Sequence, residues 1–220
     1  MVSDSSVELN GLNGHLSIPD GNTGKGILML HAWWGLNDFF KTLVHRFATE
    51  GFVAFAPDYY EGKVAKTINE ADHLSERIDR EKIVAKIGKA LDYLKNHPSV
   101  TGNKIGAMGI SLGTLFTIDL ARDRSEDIGA VILFYGIGDG QFSNTRVPVQ
   151  GHFAENDEFE DTETVKKFEM LVTKGNRNCE FYTYPGTTHW FFEKDVTDAY
   201  QKPAADLAFE RTIAFLKSYL

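Results

Sequence analysis

The chain reads as an α/β protein: a doubly wound, mostly parallel sheet that opens with an antiparallel hairpin and carries no large lid. Three observations predict this. Short continuous apolar runs, over residues 26–31, 52–56 and 128–135, are bounded by Gly, Pro or Asp, the mark of strands buried on both faces. Between such runs lie segments whose apolar residues recur at helical spacing. Strand and helix then alternate along the chain, which implies parallel strands joined by right-handed crossovers and covered on both faces. At 220 residues, with 42% hydrophobic and 25% charged residues, the chain suits one globular domain over residues 1–220.

Residues 6–10 and 14–18 read as strands joined through Gly11-Leu12-Asn13, a hairpin turn. Residues 26–31 form the first buried strand, ended by Trp33-Trp34-Gly35. Phe39, Phe40, Leu43, Val44, Phe47 and Ala48 then mark a helix, with Asn37 or Asp38 as N-cap and Gly51 just past its end. Residues 52–56 are the next strand, stopped by Pro57 and Asp58, and a polar stretch follows to about Arg77. Over 81–96, Ile83, Val84, Ile87, Leu91 and Leu94 share one helical face before Pro98. A strand at 104–108 runs directly into a helix at 112–122. Strands at 128–135, 147–153 and 178–184, a helix at 162–174 and a last helix at 204–219, with Pro203 near its first turn, complete the chain.

The junction between the strand at 104–108 and the helix after it is Gly109-Ile110-Ser111-Leu112-Gly113. A strand that turns at once into a helix forces its apex residue toward unfavourable backbone angles, and only small flanking residues permit the close approach. Ser111 is therefore a candidate nucleophile, and the Leu112 backbone N–H comes with it as an oxyanion donor. Glycines around a serine could also serve packing or cradle a phosphate, so the partners decide.

A serine hydroxyl needs a base, most often a histidine oriented by a carboxylate. Residues that follow parallel strands gather at one edge of the sheet, so the search falls there. Pro185-Gly186-Thr187-Thr188-His189-Trp190 follows one strand and Ala154-Glu155-Asn156-Asp157 follows another. Ser111, Asp157 and His189 then stand in the chain order of α/β-hydrolases, with Glu155 as the second choice of acid. His31-Ala32-Trp33-Trp34-Gly35 ends the first parallel strand, making the Trp33 N–H the second oxyanion candidate. Trp34, Phe39, Tyr59, Tyr60, Tyr135 and Trp190 are candidate pocket walls. His31 is placed to support the site, His152 reads as a buried hydrogen-bonded histidine, and Cys179 as a buried structural cysteine.

A net charge of −8 argues against nucleic acid or an anionic membrane as partner. No stretch approaches 18 uninterrupted apolar residues, and residues 1–10 lack the pattern of a secretory signal. A single cysteine excludes an internal disulfide and fits a reducing compartment, so the cytoplasm is expected. Neither cofactor nor metal is expected, and the partner is a small molecule met by a monomer or small homo-oligomer.

Together, HAWWGLNDF, PDYYEG, KIGAMGISLGT, ILFYGIGDG, GHFAENDEF, YPGTTHWF and ERTIAFL resemble the dienelactone hydrolase family within the α/β-hydrolase fold, over nearly the whole chain. The resemblance implies a triad of Ser111, Asp157 and His189, with Trp33 and Leu112 as oxyanion donors. Departures are informative. Characterised members carry cysteine at the Ser111 position and a thiol-activating glutamate at the Ala32 position, so losing both is chemically coherent for a conventional serine hydrolase. Thr114 replaces a glycine beside the elbow, a change that tightens packing there. An arginine that binds the substrate carboxylate is replaced by Glu193, which is expected to repel an anionic dienelactone; a second such arginine has no clear counterpart, Arg77 and Arg80 being nearby. The expectation is an esterase or lactonase for small uncharged substrates, working through an acyl-enzyme. An acyltransferase or thioesterase using the same residues, or a non-catalytic binding protein on this fold, are the rivals.

Overall fold

Side chains that alternate along each central strand build one core on either face of the sheet. The computed structural model describes residues 1–9, 11–138, 146–175 and 178–220. In chain order these form β1 (Ser3–Leu9), β2 (Leu12–Ile18), β3 (Lys25–Leu30), α1 (Asp38–Thr49), β4 (Phe52–Asp58), α2 (Ile68–Glu76), α3 (Arg80–Lys95), β5 (Ile105–Ile110), α4 (Gly113–Asp123), β6 (Ile128–Phe134), β7 (Val149–Asn156), α5 (Thr162–Gly175), β8 (Cys179–Thr188) and α6 (Lys202–Tyr219). Within the described residues they make one eight-stranded sheet in the order β1-β2-β4-β3-β5-β6-β7-β8. Pairing is antiparallel between β1 and β2 and between β2 and β4, and parallel from β4 onward.

Ile27 and Met29 of β3, with Ala130, Ile132 and Phe134 of β6, enter the core packed by α1 and α6. Leu28 and Leu30, with Val131 and Leu133, enter the opposite core, filled by α3, α4 and α5. This is the doubly wound arrangement expected from period-two burial on both faces. At the start of α1 the cap is Asn37, whose side chain accepts from the Phe40 N–H at 3.2 Å.

Four local readings differ, one being that the strands expected to end at 153 and 184 run on to Asn156 and Thr188. The hairpin turns earlier than Gly11-Leu12-Asn13: Leu9 pairs with Leu12, so residues 12 and 13 already belong to β2, while Asn10 lies outside the described residues. β4 continues through Pro57, because β3 pairs with it only as far as Phe55 and a strand that has lost one neighbour tolerates proline. The polar stretch before Arg77 contains α2. Its signal is the polar cap pattern Thr67-Ile68-Asn69-Glu70: the Glu70 N–H donates to Thr67 Oγ1 at 3.2 Å, and Glu70 Oε2 reaches back to accept from the N–H of Lys66, just before the cap, at 2.7 Å. Apolar periodicity misses it because Ile68 is exposed and only Ala71 of this helix is buried.

The β7–β8 pairing matters most for function. It extends past a bulge to a final partnership of Asn156 with Thr188. Asp157 and His189 are each the next residue, so the register itself sets them side by side. Among the described residues no helix is long and apolar enough to cross a membrane.

Phe47 is fully buried and packs its ring against Phe52 and Phe209. Phe47→Ala is expected to cost about 3–5 kcal/mol. A urea titration should show a lower midpoint with an unchanged slope; an unshifted midpoint would contradict this account of the α1 face.

Candidate active site

Ser111 occupies the single-residue reversal between β5 and α4 with φ of 50°. A non-glycine residue in that region stores roughly 1–3 kcal/mol of strain and needs its surroundings to hold it. The holding contacts are specific. Its N–H donates to the Phe134 carbonyl of β6 at 2.9 Å, and its carbonyl accepts from the Thr114 N–H at 2.9 Å and Thr114 Oγ1 at 2.6 Å. Thr114, the departure beside the elbow, thus ties the turn closed. The flanking glycines are sterically required: a Cβ on Gly109 would strike Thr117 Oγ1 and the Gly113 carbonyl, and one on Gly113 would strike the carbonyls of Leu30 and His31. Gly113 lets the first turn of α4 settle on the end of β3, bringing the loop that carries Trp33 close to Ser111. Among the described residues, neither the Trp33 nor the Leu112 backbone N–H has an acceptor, and both residues line the cavity beside Ser111.

His189 follows the end of β8, and its Nε2 lies 2.9 Å from Ser111 Oγ. Its Nδ1 lies 2.9 and 2.8 Å from the two oxygens of Asp157. A carboxylate only accepts, so Nδ1 carries the hydrogen and Nε2 is left to accept from the serine hydroxyl. Both side chains are almost wholly buried, at 5% and 2% exposure, which excludes water from the ion–imidazole contact. Asp157 Oδ1 is held further by the N–H groups of Phe159 at 2.9 Å and Glu160 at 3.1 Å. Glu155, the other candidate acid, is exposed and accepts from the Gly186 N–H at 2.8 Å, tying β7 to the last residues of β8 before His189 without touching the imidazole. An imidazole so placed can take a proton from the hydroxyl as a bond forms at Oγ.

The cavity beside Ser111 has a volume of about 230 Å³ and mostly apolar walls. Tyr135 and Trp190 line it, as do Trp33, Ile137 and Phe159. Four expected walls lie elsewhere. Trp34 is buried behind Trp33 and borders a separate groove with Asn37 and Lys41. Phe39 packs edge-on against Phe40 and Phe192 in the core. Tyr59 and Tyr60 follow β4, which β3 separates from β5; Tyr59 stacks on His31 at 3.7 Å and Tyr60 stands edge-on to both. Phe159 and Glu160 are lining residues that sequence reasoning passed over, because the acidic stretch 155–161 reads as solvated. An apolar Phe two residues after the candidate acid was the available signal. Ser75 reaches the cavity from α2, the helix that apolar periodicity did not reveal.

Charge around the site is arranged differently from expectation. Glu193 is fully buried, does not line the cavity, and accepts from Tyr135 Oη at 2.8 Å. Burial pushes its carboxyl up to about 8, so it is largely neutral near pH 7 and cannot repel an anion directly. Glu160 does line the cavity. Burial raises its carboxyl to about 7, with the charges of Asp157 and Asp161 adding to the rise. Arg80 donates to Asp119 Oδ2 at 3.1 and 2.7 Å, and Arg77 borders another groove. Among the described residues no arginine or lysine lines the cavity.

His31 is buried in the core, with Nδ1 2.7 Å from the Ala32 carbonyl, and burial holds it neutral, down to about 3. His152 is buried and bonded to Tyr184, Gln150 and Thr212. Cys179 is half-buried, not fully buried as expected, and burial pushes its thiol up to about 11. Among the described residues no cluster of His, Cys, Asp or Glu could hold a metal ion. Asp139 and Gly140, the last residues of ILFYGIGDG, lie outside the described residues.

The model of the dienelactone hydrolase family matches residues 12–220. "Protein usf" of Aquifex pyrophilus is 34% identical over 226 residues, covering 97% of this chain and 96% of that protein. "Putative carboxymethylenebutenolidase" of Aquifex aeolicus is 30% identical, with 97% and 96% covered. The crystal structure of a dienelactone hydrolase-like promiscuous phosphotriesterase from metagenomic libraries superposes with a TM-score of 0.84 over 99% of this chain and 98% of that one. At 20% identity that likeness shows the α/β-hydrolase fold alone.

Glu193 gives a stability signature. Its carboxyl keeps its proton in the folded chain up to about pH 8 but loses it near 4.5 when unfolded. The unfolded state binds fewer protons across that window, so this group's contribution to stability falls as pH rises from 4.5 toward 8. Glu193→Gln cannot ionise and should remove up to about 1.4 kcal/mol per pH unit of that slope. Urea midpoints of both proteins at pH 5, 6.5 and 8 test this; a constant gap between them contradicts it.

Proposed function

The chain belongs to the dienelactone hydrolase family, and we propose that it cleaves small esters or lactones lacking a carboxylate as a serine hydrolase, through an acyl-enzyme on Ser111. The observation that carries this reading is the unbroken hydrogen-bonded path from Ser111 Oγ through His189 to Asp157, with steps of 2.9 and 2.8 Å. In the reaction Ser111 Oγ attacks the carbonyl carbon while His189 Nε2 takes the hydroxyl proton. The carbonyl oxygen becomes an oxyanion, for which the N–H groups of Trp33 and Leu112 are the donors. Collapse of that intermediate breaks the bond to the alcohol oxygen, which receives its proton from His189; in a lactone the alcohol remains tethered to the acyl group. Water, deprotonated by the same imidazole, then releases the acid and restores the serine.

Asp157 holds the imidazole in the tautomer this sequence requires and stabilises its charged form. Ala32 is buried and apolar, so no carboxylate stands where thiol activation would need one, in keeping with a hydroxyl nucleophile. The absence of lining cations among the described residues supports a substrate without a carboxylate. A cytoplasmic location belongs to the same reading, supported by a single half-buried cysteine.

A fluorophosphonate probe should label the folded protein at Ser111, and Ser111→Ala should abolish both labelling and hydrolysis of a nitrophenyl ester. Asp157→Asn is expected to lower kcat by about 10⁴-fold, with Glu155→Gln having little effect. Labelling that survives Ser111→Ala, or a larger loss from the Glu155 variant than from the Asp157 variant, would overturn the assignments.

A further inference from the structure

Apart from His189, the cavity wall carries, among the described residues, one ionisable charge-bearing side chain that hydrolysis does not use. Glu160 reaches it from the loop between β7 and α5, accepting from the Ile137 N–H at 3.3 Å. No lysine or arginine among the described residues lies within ion-pair distance of Glu160, and none lines the cavity. Beside it stand three aromatic rings: Phe159 lies 5.4 Å from Trp190 and 6.0 Å from Trp33, and Trp33 is stacked 6.1 Å from Trp190. Phe159 is half exposed at the cavity, an apolar ring left in contact with solvent although it packs on His189 at 4.8 Å. A small chamber walled by aromatic rings and closed by an uncompensated carboxylate has the recognition chemistry of an organic cation: ring quadrupoles attract the charge, and the carboxylate completes the pairing.

We propose that Glu160 makes this cavity selective for esters whose acyl or alcohol part bears a cationic nitrogen, seated among Trp33, Phe159 and Trp190 with its charge toward Glu160. This rests on the serine-hydrolase reading and names the substrate class for it. Among the described residues, the ionisable groups facing Glu160 are Asp157 and Asp161 on its own loop and, across the cavity, His189 after β8 and Tyr135 after β6. The two aspartates repel an added negative charge, and a bound cation relieves that repulsion. Burial has lifted the Glu160 carboxyl to about 7, so its negative charge is gained as pH rises through that value. Selectivity for a cation therefore grows from pH 6 to pH 8.

The test compares a choline ester with the 3,3-dimethylbutyl ester of the same acid, a neutral substrate of the same shape. The ratio of their kcat/KM values cancels the ionisation of Ser111 and His189, which both substrates share. The choline ester should be favoured about 10-fold at pH 8 and by a smaller factor at pH 6, and Glu160→Gln should lower the ratio at pH 8 and abolish its rise with pH, leaving only the pH-independent contribution of the rings. Equal or better cleavage of the neutral ester, or a preference whose size and pH dependence are unchanged by Glu160→Gln, overturns the assignment while leaving the hydrolase intact. Loss of cleavage of both esters together with failed fluorophosphonate labelling overturns the hydrolase reading and this inference with it.

Discussion

The left-handed backbone at Ser111 is the constraint on which the rest of the site depends. Ser111 reverses the chain between the end of β5 at Ile110 and the N-cap of α4 at Leu112, and it holds φ of 50° only because the adjacent strand and the helix fix it from both sides. The demand propagates outward. Gly109 lets Thr117 and the Gly113 carbonyl approach β5, and Gly113 lets α4 approach the carbonyls that end β3. Two buried cores, one on each face, supply the stability against which such local strain is affordable. Opposite the elbow, the Asn156–Thr188 pairing closes the other half of the site through sheet register rather than through the loops themselves. Ser111, Asp157 and His189 thus converge because β5, β7 and β8, strands of one sheet with β6 between the first two, end at the same edge.

Burial raises the carboxyls of both glutamates near the site, and what separates the two is where each one faces. Glu193 sits in the core with Tyr135 Oη as its hydrogen-bond donor, and in that setting the proton is cheaper to keep than the charge is to bury. Its role toward the cavity is mechanical: it holds Tyr135, itself at φ of 33° immediately after β6 and edge-on to the His189 ring at 4.8 Å. Glu160 is less buried and faces the cavity, so its charge is available near neutral pH. Glu193 therefore places no carboxylate against the cavity, since it does not line it. The negative character of the chamber comes from a different loop.

Much of this was legible in the sequence, and the parts that were not share a cause. Period-two and helical apolar patterns report burial, and burial is what organises the two cores, so strands such as β3 and β6 and helices such as α1 and α3 emerge with nearly their true limits. The convergence of Ser111, Asp157 and His189 follows from position after strands, a rule of topology. α2 escaped because its start is specified by a polar cap and its length buries almost nothing. Trp34, Phe39, Tyr59 and Tyr60 were misplaced because composition marks an aromatic residue as wall material without saying which side of its loop it takes. Glu160 was hidden for the converse reason: an acid in an acidic run looks solvated until the fold turns it inward.

The misplaced tyrosines have a use of their own. The loop from His31 to Gly35, which brings Trp33 to the cavity wall beside Ser111, has no strand pairing to hold it. Tyr59 supplies the hold: its ring lies flat on the His31 imidazole, and its hydroxyl donates to the His31 carbonyl. Tyr60 stands edge-on to the same imidazole, and Ala65 donates its N–H to the Trp34 carbonyl at 2.9 Å, so the segment after β4 clasps the loop after β3 at successive points. His31 must stay neutral for this stack to sit in the core, and its burial ensures that it does. PDYYEG therefore acts on the site at one remove: it fixes the backbone that carries a candidate oxyanion donor, as a preorganised electrostatic site requires of the residues behind it.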